Sequence, residues 1–273
     1  MIEQRNRSSC AGCWPTTFCQ EVTNSDYVWP AVVTNVLQDN YPSRQFDYIN
    51  ASVTGFTTKD SLVNLNDRAA QLEPDIIFIY HAINDIADNH WYLAKSQGVD
   101  VFYYPWQWLT KPMKKSVLVN LTYNNVRILL ANNKNNKTAI KAKYDDEYMV
   151  SRLSGNLQNL VDRALEISSY VVIPTFATQL RENQTPEQKI IAAQTLFHSL
   201  PYMELKDIVT VIQSYNDVIR ELGERENVIV IETESEIAGT QEMFFDSVHF
   251  TDEGSKRLGR HIAKHVSDSN ILK

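Results

Sequence analysis

The chain has 273 residues, of which 43% are hydrophobic and 22% are charged, so it can build one sizeable core and lacks the composition of a disordered protein. Its 26 Lys and Arg against 33 Asp and Glu give a net charge of −7, and no basic run predicts a nucleic-acid surface. No apolar run reaches the roughly 18 to 20 residues of a membrane span, and the residues after Met1 are too polar for a signal sequence. We therefore predict one domain over residues 1–273, with no nucleic-acid partner and no membrane span.

Short apolar runs rich in β-branched residues alternate with helical patterns along the chain. Strands are predicted at 46–53, 75–83, 169–176 and 227–233. Helices are predicted at 29–40, 59–72, 154–168, 205–225 and 251–266. This alternation predicts an α/β fold with a mainly parallel sheet.

Residues 88–150 interrupt the alternation. They begin with an aromatic stretch, "HWYLAKSQGVDVFYYPWQWL" (90–109), and later contain the Asn- and Lys-rich stretch "ANNKNNKTAIKAK" (131–143). We predict an inserted segment here, with a helix near 116–133. Its aromatic side chains either pack the insertion onto the body of the domain or contact a ligand.

The cysteine and histidine spacings do not predict a metal site. Cys10, Cys13 and Cys19 are too few for a disulfide framework, and the C-x-x-C pair has no second pair or nearby His to complete a zinc site. His261 and His265 stand at i and i+4, but without the carboxylate of an H-E-x-x-H motif they are typical of a solvated helix face. We expect neither a metal nor another cofactor.

Polar residues follow three of the predicted strands at the sheet edge where α/β proteins bind ligands. Gly55 lies in a turn after the first of these strands, where a bare backbone can approach a ligand closely. Asn84 and Asp85 follow the second strand, and Asp246 and His249 lie between the last strand and the last helix. Each group alone is also typical of helix capping. Their order along the chain favours a shared site.

These segments resemble the sequence blocks of SGNH/GDSL-type hydrolases. The stretch "NASVTGFTT" (50–58) is similar to the glycine block, "AIND" (82–85) to the G-x-N-D block with Ala82 in place of its glycine, and "DSVH" (246–249) to the Asp-x-x-His block. The similarity runs from about residue 16 to the C-terminus, apart from the insertion. It implies a flavodoxin-like three-layer α/β/α fold and a serine esterase that acts on a small-alcohol, carbohydrate or lipid ester through an acyl-enzyme, without a cofactor.

The resemblance also implies a role for each residue. His249 would accept the proton of the nucleophile, since an imidazole ordinarily titrates near neutrality, and Asp246 would hold its ring in the working tautomer. The Gly55 N–H and the Asn84 amide would stabilise the oxyanion. His81 and His90 flank the Asn84 block and could line the pocket.

The nucleophile expected by this resemblance is missing. Pro15 stands where the serine belongs, although "TTFCQEV" (16–22) is similar to the residues after that serine in relatives. Upstream, "IEQRNRSSCAG" (2–12) is predicted not to be the buried first strand, because Gln, Arg, Asn and Arg rarely follow one another in one. The first fifteen residues are therefore atypical.

Two interpretations of this N-terminus are open. Either the chain has lost its first strand and nucleophile, or residues 1–15 are not the native reading of the gene. Codons exist for residues 6–14 that, shifted by one base, encode Ile-Val-Val-Val-Val-Leu-Gly-Ala-Gly, and a serine codon that lost one base would then give Pro15. A gene with no strand and serine in any frame upstream of Thr16 would exclude the second interpretation.

Two other classes of function compete with the esterase. A non-catalytic binding module would keep the pocket for an acyl or glycan ligand. A flavin- or nucleotide-binding protein would need a G-x-G-x-x-G or P-loop glycine run, which the sequence lacks. Many proteins of the resembled family act outside the cytoplasm, and the sequence itself leaves the compartment and the oligomeric state open.

Overall fold

A computed structural model of the chain describes residues 7–13, 22–99 and 141–272, and for 7–13 it describes the backbone alone. The described strands form one parallel sheet in the order β2-β1-β3-β4-β5. They are β1 Arg7–Cys13, β2 Gln45–Asn50, β3 Ile76–Ile79, β4 Tyr170–Pro174 and β5 Val228–Ile231. This strand order is that of the flavodoxin-like fold.

Helices cover both faces of the sheet, which confirms the predicted three-layer α/β/α architecture. Helix α1 packs against α8 on one side, while α2, α3 and α7 pack around α4 on the other. The helices are α1 Trp29–Asn40, α2 Thr58–Asn64, α3 Ile83–Ser96, α4 Asp146–Ile167, α5 Pro186–Ala192, α6 Gln194–Ser199, α7 Leu205–Leu222 and α8 Asp252–Asp268. None of these helices has the length and apolar content that crossing a membrane requires.

Helix α8 shows how the sequence determines one layer. Thr251 caps its N-terminus by accepting a hydrogen bond from the Gly254 amide at 3.1 Å. Leu258 and Ile262 lie on its buried face, at the spacing that the sequence predicts. A side chain at Gly259 would come within 2.6 Å of Cβ of Val32 on α1, so only glycine permits this close helix contact.

The structure confirms all four predicted strands, each over fewer residues, and all five predicted helices, of which the one at 59–72 is α-helical only to Asn64 and continues as a π turn and a 3-10 turn. The helix predicted at 154–168 begins earlier, at Asp146, because Asp145 caps its first turn by accepting a bond from the Tyr148 amide. The prediction of an insertion at 88–150 remains a prediction. Its first residues continue α3, its last residues open α4, and the helix predicted near 116–133 lies outside the described residues.

The expectation that the N-terminal stretch is not the first strand is wrong. Residues 7–13 form β1 between β2 and β3, with Ser8 in register with Phe46 and Cys10 in register with Ile76. The prediction gave weight to the polar residues 4–7, whereas the strand is "RSSCAGC", which has small residues after Arg7. Parallel pairing depends on backbone hydrogen bonds, and small side chains are compatible with it.

Candidate active site

Asp246 and His249 form a hydrogen-bonded pair in the turn that precedes α8. Nδ1 of His249 lies 2.8 Å from Oδ2 of Asp246. The other carboxylate oxygen accepts the amides of Val248 and His249, each at 2.9 Å. The three-residue spacing therefore closes a compact turn in which backbone donors fix the carboxylate and the carboxylate fixes the imidazole.

The surroundings of this pair favour the charged form of its carboxylate. Burial raises the pKa of Asp246, but the hydrogen bonds from His249 and from the two backbone amides outweigh burial and lower it overall. Asp246 is therefore ionised at neutral pH and can accept the Nδ1–H of His249. About a third of the His249 side chain, 34%, remains exposed to solvent.

The turn is anchored to the carboxyl ends of β3 and β4. Phe244 and Phe250 form an antiparallel bridge with ring centroids 4.9 Å apart, and Phe250 also packs against Tyr80 just after β3. Ser247 accepts the Gln179 amide on its carbonyl at 2.8 Å and the Thr195 amide on its hydroxyl at 3.0 Å. Asp246 and His249 thus sit on a well-anchored turn at the carboxyl edge of the sheet, the edge at which α/β proteins bind ligands.

The Asn84 side chain is bonded to the loop that contains Gly55. Gly55 has φ of +85°, a left-handed conformation that favours glycine, in the loop that leads from β2 to α2. The Asn84 amide, in the first turn of α3, donates to the carbonyl of Phe56 at 3.0 Å. This bond ties the first turn of α3 to the loop that contains Gly55.

Below this loop lies a buried polar network that the sequence did not reveal. The Asp85 carboxylate accepts the Thr58 amide at 3.0 Å and the Thr58 hydroxyl at 2.6 Å. Its Oδ2 lies 3.3 Å from Nδ1 of His81, whose Nε2 lies 3.1 Å from Oγ of Ser61. Ser61, His81 and Asp85 follow the chemical order of a catalytic triad, but all three are buried, so the arrangement braces α2 against α3. The i, i+4 spacing of His81 and Asp85 was the available signal.

Described residues precede and follow position 15, where the sequence predicts a nucleophile. Pro15 itself lies outside the described residues, but Cys13 ends β1 at the carboxyl edge, paired with Ile79 of β3. On the other side, the amide and the hydroxyl of Thr23 donate to Asp252 at 2.8 and 2.6 Å, three residues after His249. The chain thus leaves the sheet beside β3 and returns beside the His249 turn.

His90 is a core residue and does not line an open pocket. It is fully buried on α3, its Nε2 accepts the Tyr202 amide at 3.1 Å, and its ring stacks on that of Tyr202. Burial lowers its pKa from the ordinary 6.5 to about 4. The folded protein therefore holds His90 neutral where the unfolded chain would bind a proton.

We expect this histidine to make folding sensitive to mild acid. Because its pKa is lower in the folded state, its contribution is complete above pH 6.5 and is lost as the pH falls towards 4, by about 3 kcal/mol in total. Urea unfolding of the protein and of His90→Gln at pH 7 and pH 4.5 tests this, since glutamine keeps an acceptor for Tyr202. The variant should lose clearly less stability over this interval, and equal losses would contradict the assignment.

No metal centre is evident where side chains are described, residues 22–99 and 141–272, because no three His, Cys, Asp or Glu side chains converge there. The rings of His261 and His265 lie 4.5 Å apart, and Nε2 of His261 lies 2.8 Å from the carbonyl oxygen of Glu232. One nitrogen of the pair is therefore used by the backbone. The cysteine pair at 10 and 13 has no described side chains.

Comparisons with known proteins found one family model and several solved structures that are similar to this chain. A model of the GDSL-like Lipase/Acylhydrolase family matches residues 8–257, which extends the resemblance upstream of residue 16 and includes β1. The fold is similar to an acetylxylan esterase from Geobacillus stearothermophilus (14% identity, 95% of this chain and 94% of that chain, TM-score 0.56). It is also similar to a lipase/acylhydrolase from Enterococcus faecalis (17% identity, 96% of each chain, TM-score 0.53). A third similar structure is an α/β hydrolase enzyme from the metagenome of Lake Arreo, Spain (11% identity, 96% of each chain, TM-score 0.57). A search of curated proteins found no match.

Proposed function

Because this chain belongs to the GDSL-like lipase/acylhydrolase family, we propose that its site is that of a serine-type ester hydrolase, with His249 as the base and Asp246 as the residue that orients it. We further propose that the chain as written is impaired, because Pro15 occupies the position of the nucleophile. The observation that carries the proposal is the 2.8 Å contact between Nδ1 of His249 and the ionised Asp246 carboxylate, on a turn fixed by backbone bonds.

The proposed chemistry needs a serine at position 15. Nε2 of His249 would take the proton of the serine hydroxyl as the oxygen attacks the ester carbonyl, and would then give that proton to the leaving alcohol. Water would hydrolyse the acyl-enzyme by the same two proton transfers. Asp246 would stabilise the imidazolium that forms between them.

Gly55 and Asn84 are suited to the oxyanion that develops in these steps. An amide NH2 has two hydrogens, so the bond from Asn84 to Phe56 orients the group and leaves its second hydrogen for the substrate. Gly55 carries no side chain that would obstruct its own N–H in the same loop. Donors of this kind are worth about 3 to 4 kcal/mol each to the transition state.

The proposed substrate is an acetylated carbohydrate, with other small-alcohol or lipid esters as alternatives. The acetylxylan esterase of similar fold supports this choice, although identity of 14% carries the fold alone. A second candidate function, a binding module that holds such a ligand without turnover, is favoured by Pro15 alone, since the rest of the site needs no change to bind.

The proposal is tested by restoring the nucleophile. We expect no measurable hydrolysis of p-nitrophenyl acetate by the chain as written, and saturable hydrolysis after Pro15→Ser, because the base and its partner are already in place. A second version also replaces residues 6–14 by Ile-Val-Val-Val-Val-Leu-Gly-Ala-Gly, which restores glycines to the turn before the serine. Pro15→Ala, equally small but without a hydroxyl, is the matched control.

The outcome separates the two functions. Activity in either serine version, and none in the alanine control, supports the esterase. If both serine versions fold with the circular dichroism of the parent and hydrolyse neither p-nitrophenyl acetate nor an acetylated xyloside, the esterase proposal is wrong. Saturable binding of the xyloside by those silent versions would then support the binding module.

A further inference from the structure

Phe245 immediately precedes the Asp246 and His249 pair, and it is not a core residue. Its neighbours in the turn, Phe244 and Phe250, are 1% and 0% exposed, whereas Phe245 is 68% exposed. Single exposed apolar side chains are common, so exposure alone does not give this ring a role. Its position relative to His249 indicates a role.

The backbone of the turn places Phe245 directly opposite His249. Phe244 pairs with Phe250 in an antiparallel bridge, and the next rung is the bond from the Phe245 amide to the His249 carbonyl at 2.8 Å. Successive residues of a strand point to opposite faces, so Phe244 and Phe250 share the buried face. Phe245 and His249, which this bond joins, therefore lie on the other face.

The chemistry of the site then determines which part of the substrate meets this ring. A histidine base gives its proton to the leaving alcohol, so the alcohol must come within hydrogen-bond reach of His249. The acyl carbonyl lies instead at the proposed oxyanion donors, Gly55 after β2 and Asn84 after β3, whereas the His249 turn is bonded to the segment that follows β4. A side chain that shares an exposed face with His249 is therefore next to the alcohol.

We infer that Phe245 is a specificity-determining residue that stacks on a ring of the leaving alcohol. An exposed, flat aromatic ring suits the apolar face of a pyranose or of an aryl alcohol better than it suits a methyl or ethyl alcohol, which offers little area to cover. The inference rests on the proposed function. It adds to that function the residue that recognises the alcohol part of the ester.

The test uses the chain as written. Because Pro15 stands in place of the nucleophile, we expect the protein to bind the ester without hydrolysing it during the titration. We expect calorimetric titration with an acetylated methyl xyloside to show saturable binding that Phe245→Ala weakens about tenfold. Phe245→Trp should retain the affinity, and Phe245→Leu, which keeps apolar area without a ring, should fall close to the alanine value. Methyl xyloside, the alcohol alone, should compete, while acetate should not.

Leu72→Ala is the matched control. Leu72 is 49% exposed and precedes β3, at the opposite edge of the sheet, so its loss removes apolar surface without touching the site. Unchanged binding in Phe245→Ala would overturn the inference, as would leucine that works as well as phenylalanine or a xyloside that fails to bind. The two serine versions keep the questions apart, because failure of both to hydrolyse any ester refutes the proposed function, whereas hydrolysis with no effect of Phe245 on Kd refutes only this inference.

Discussion

Replacing His249 by alanine in the Pro15→Ser protein is expected to lower kcat for p-nitrophenyl acetate by about four orders of magnitude. The serine hydroxyl is a weak nucleophile until a base removes its proton, and His249 is the histidine that is both part-exposed and bonded to an ionised carboxylate in the described site. The loss should appear in kcat and in kcat/KM alike, because proton transfer is made only in the transition state.

The partner residue gives an independent test of the same arrangement. In Asp246→Asn the side-chain oxygen still accepts backbone amides, but the neutral amide no longer stabilises an imidazolium and can donate to Nδ1, which favours the wrong tautomer. We expect this variant to lose about as much activity as His249→Ala while it unfolds at nearly the same temperature.

His265→Ala is the matched control, since it removes an exposed imidazole on α8 and should change kcat less than about twofold. A His249→Ala protein that keeps a tenth of its activity would place the base elsewhere. The next histidine to replace would then be His81, whose own contacts to Asp85 and Ser61 mimic a triad inside the core.

The sequence predicted the half of the site that is local in the chain. Asp246 and His249 are three residues apart, so the turn that joins them depends only on neighbouring residues, and an Asp-x-x-His pattern before a helix is readable. The same holds for the strands β3 to β5, whose apolar runs are continuous, and for α8, whose stripe has helical spacing. These elements could be predicted because the residues that determine each of them are neighbours in the sequence.

The features that were missed depend on distant partners. Strand β1 has small residues and no apolar run, and it is a strand because β2 and β3 offer their backbones on either side. The contact between Ser61 and His81 joins residues that are twenty apart, and nothing in either segment indicates the other. A single sequence also gives no reason to expect Thr23 beside Asp252, the contact that brings the chain after Pro15 back to the site.

Loss of Asp85 should strongly reduce stability. Its buried carboxylate accepts both the amide and the hydroxyl of Thr58, and it lies 3.3 Å from His81. Asp85→Ala leaves two buried donors without their acceptor, and water cannot replace it easily because Thr58 is itself 1% exposed. We expect the free energy of unfolding to fall by about 3 to 5 kcal/mol, and the melting temperature by about 10 °C in a chain of this size.

Urea unfolding measures this loss against Asp88→Ala, an exposed carboxylate one turn further along α3 that should cost less than about 1 kcal/mol. Asp85→Asn, which keeps one oxygen for Thr58, should fall between the two. Because Thr58 begins α2 directly after the Gly55 loop, the same change in the Pro15→Ser protein should lower kcat more than it raises KM, as expected when oxyanion donors lose their alignment. A stable Asp85→Ala protein with unchanged kcat would show that the network neither supports the core nor positions the loop.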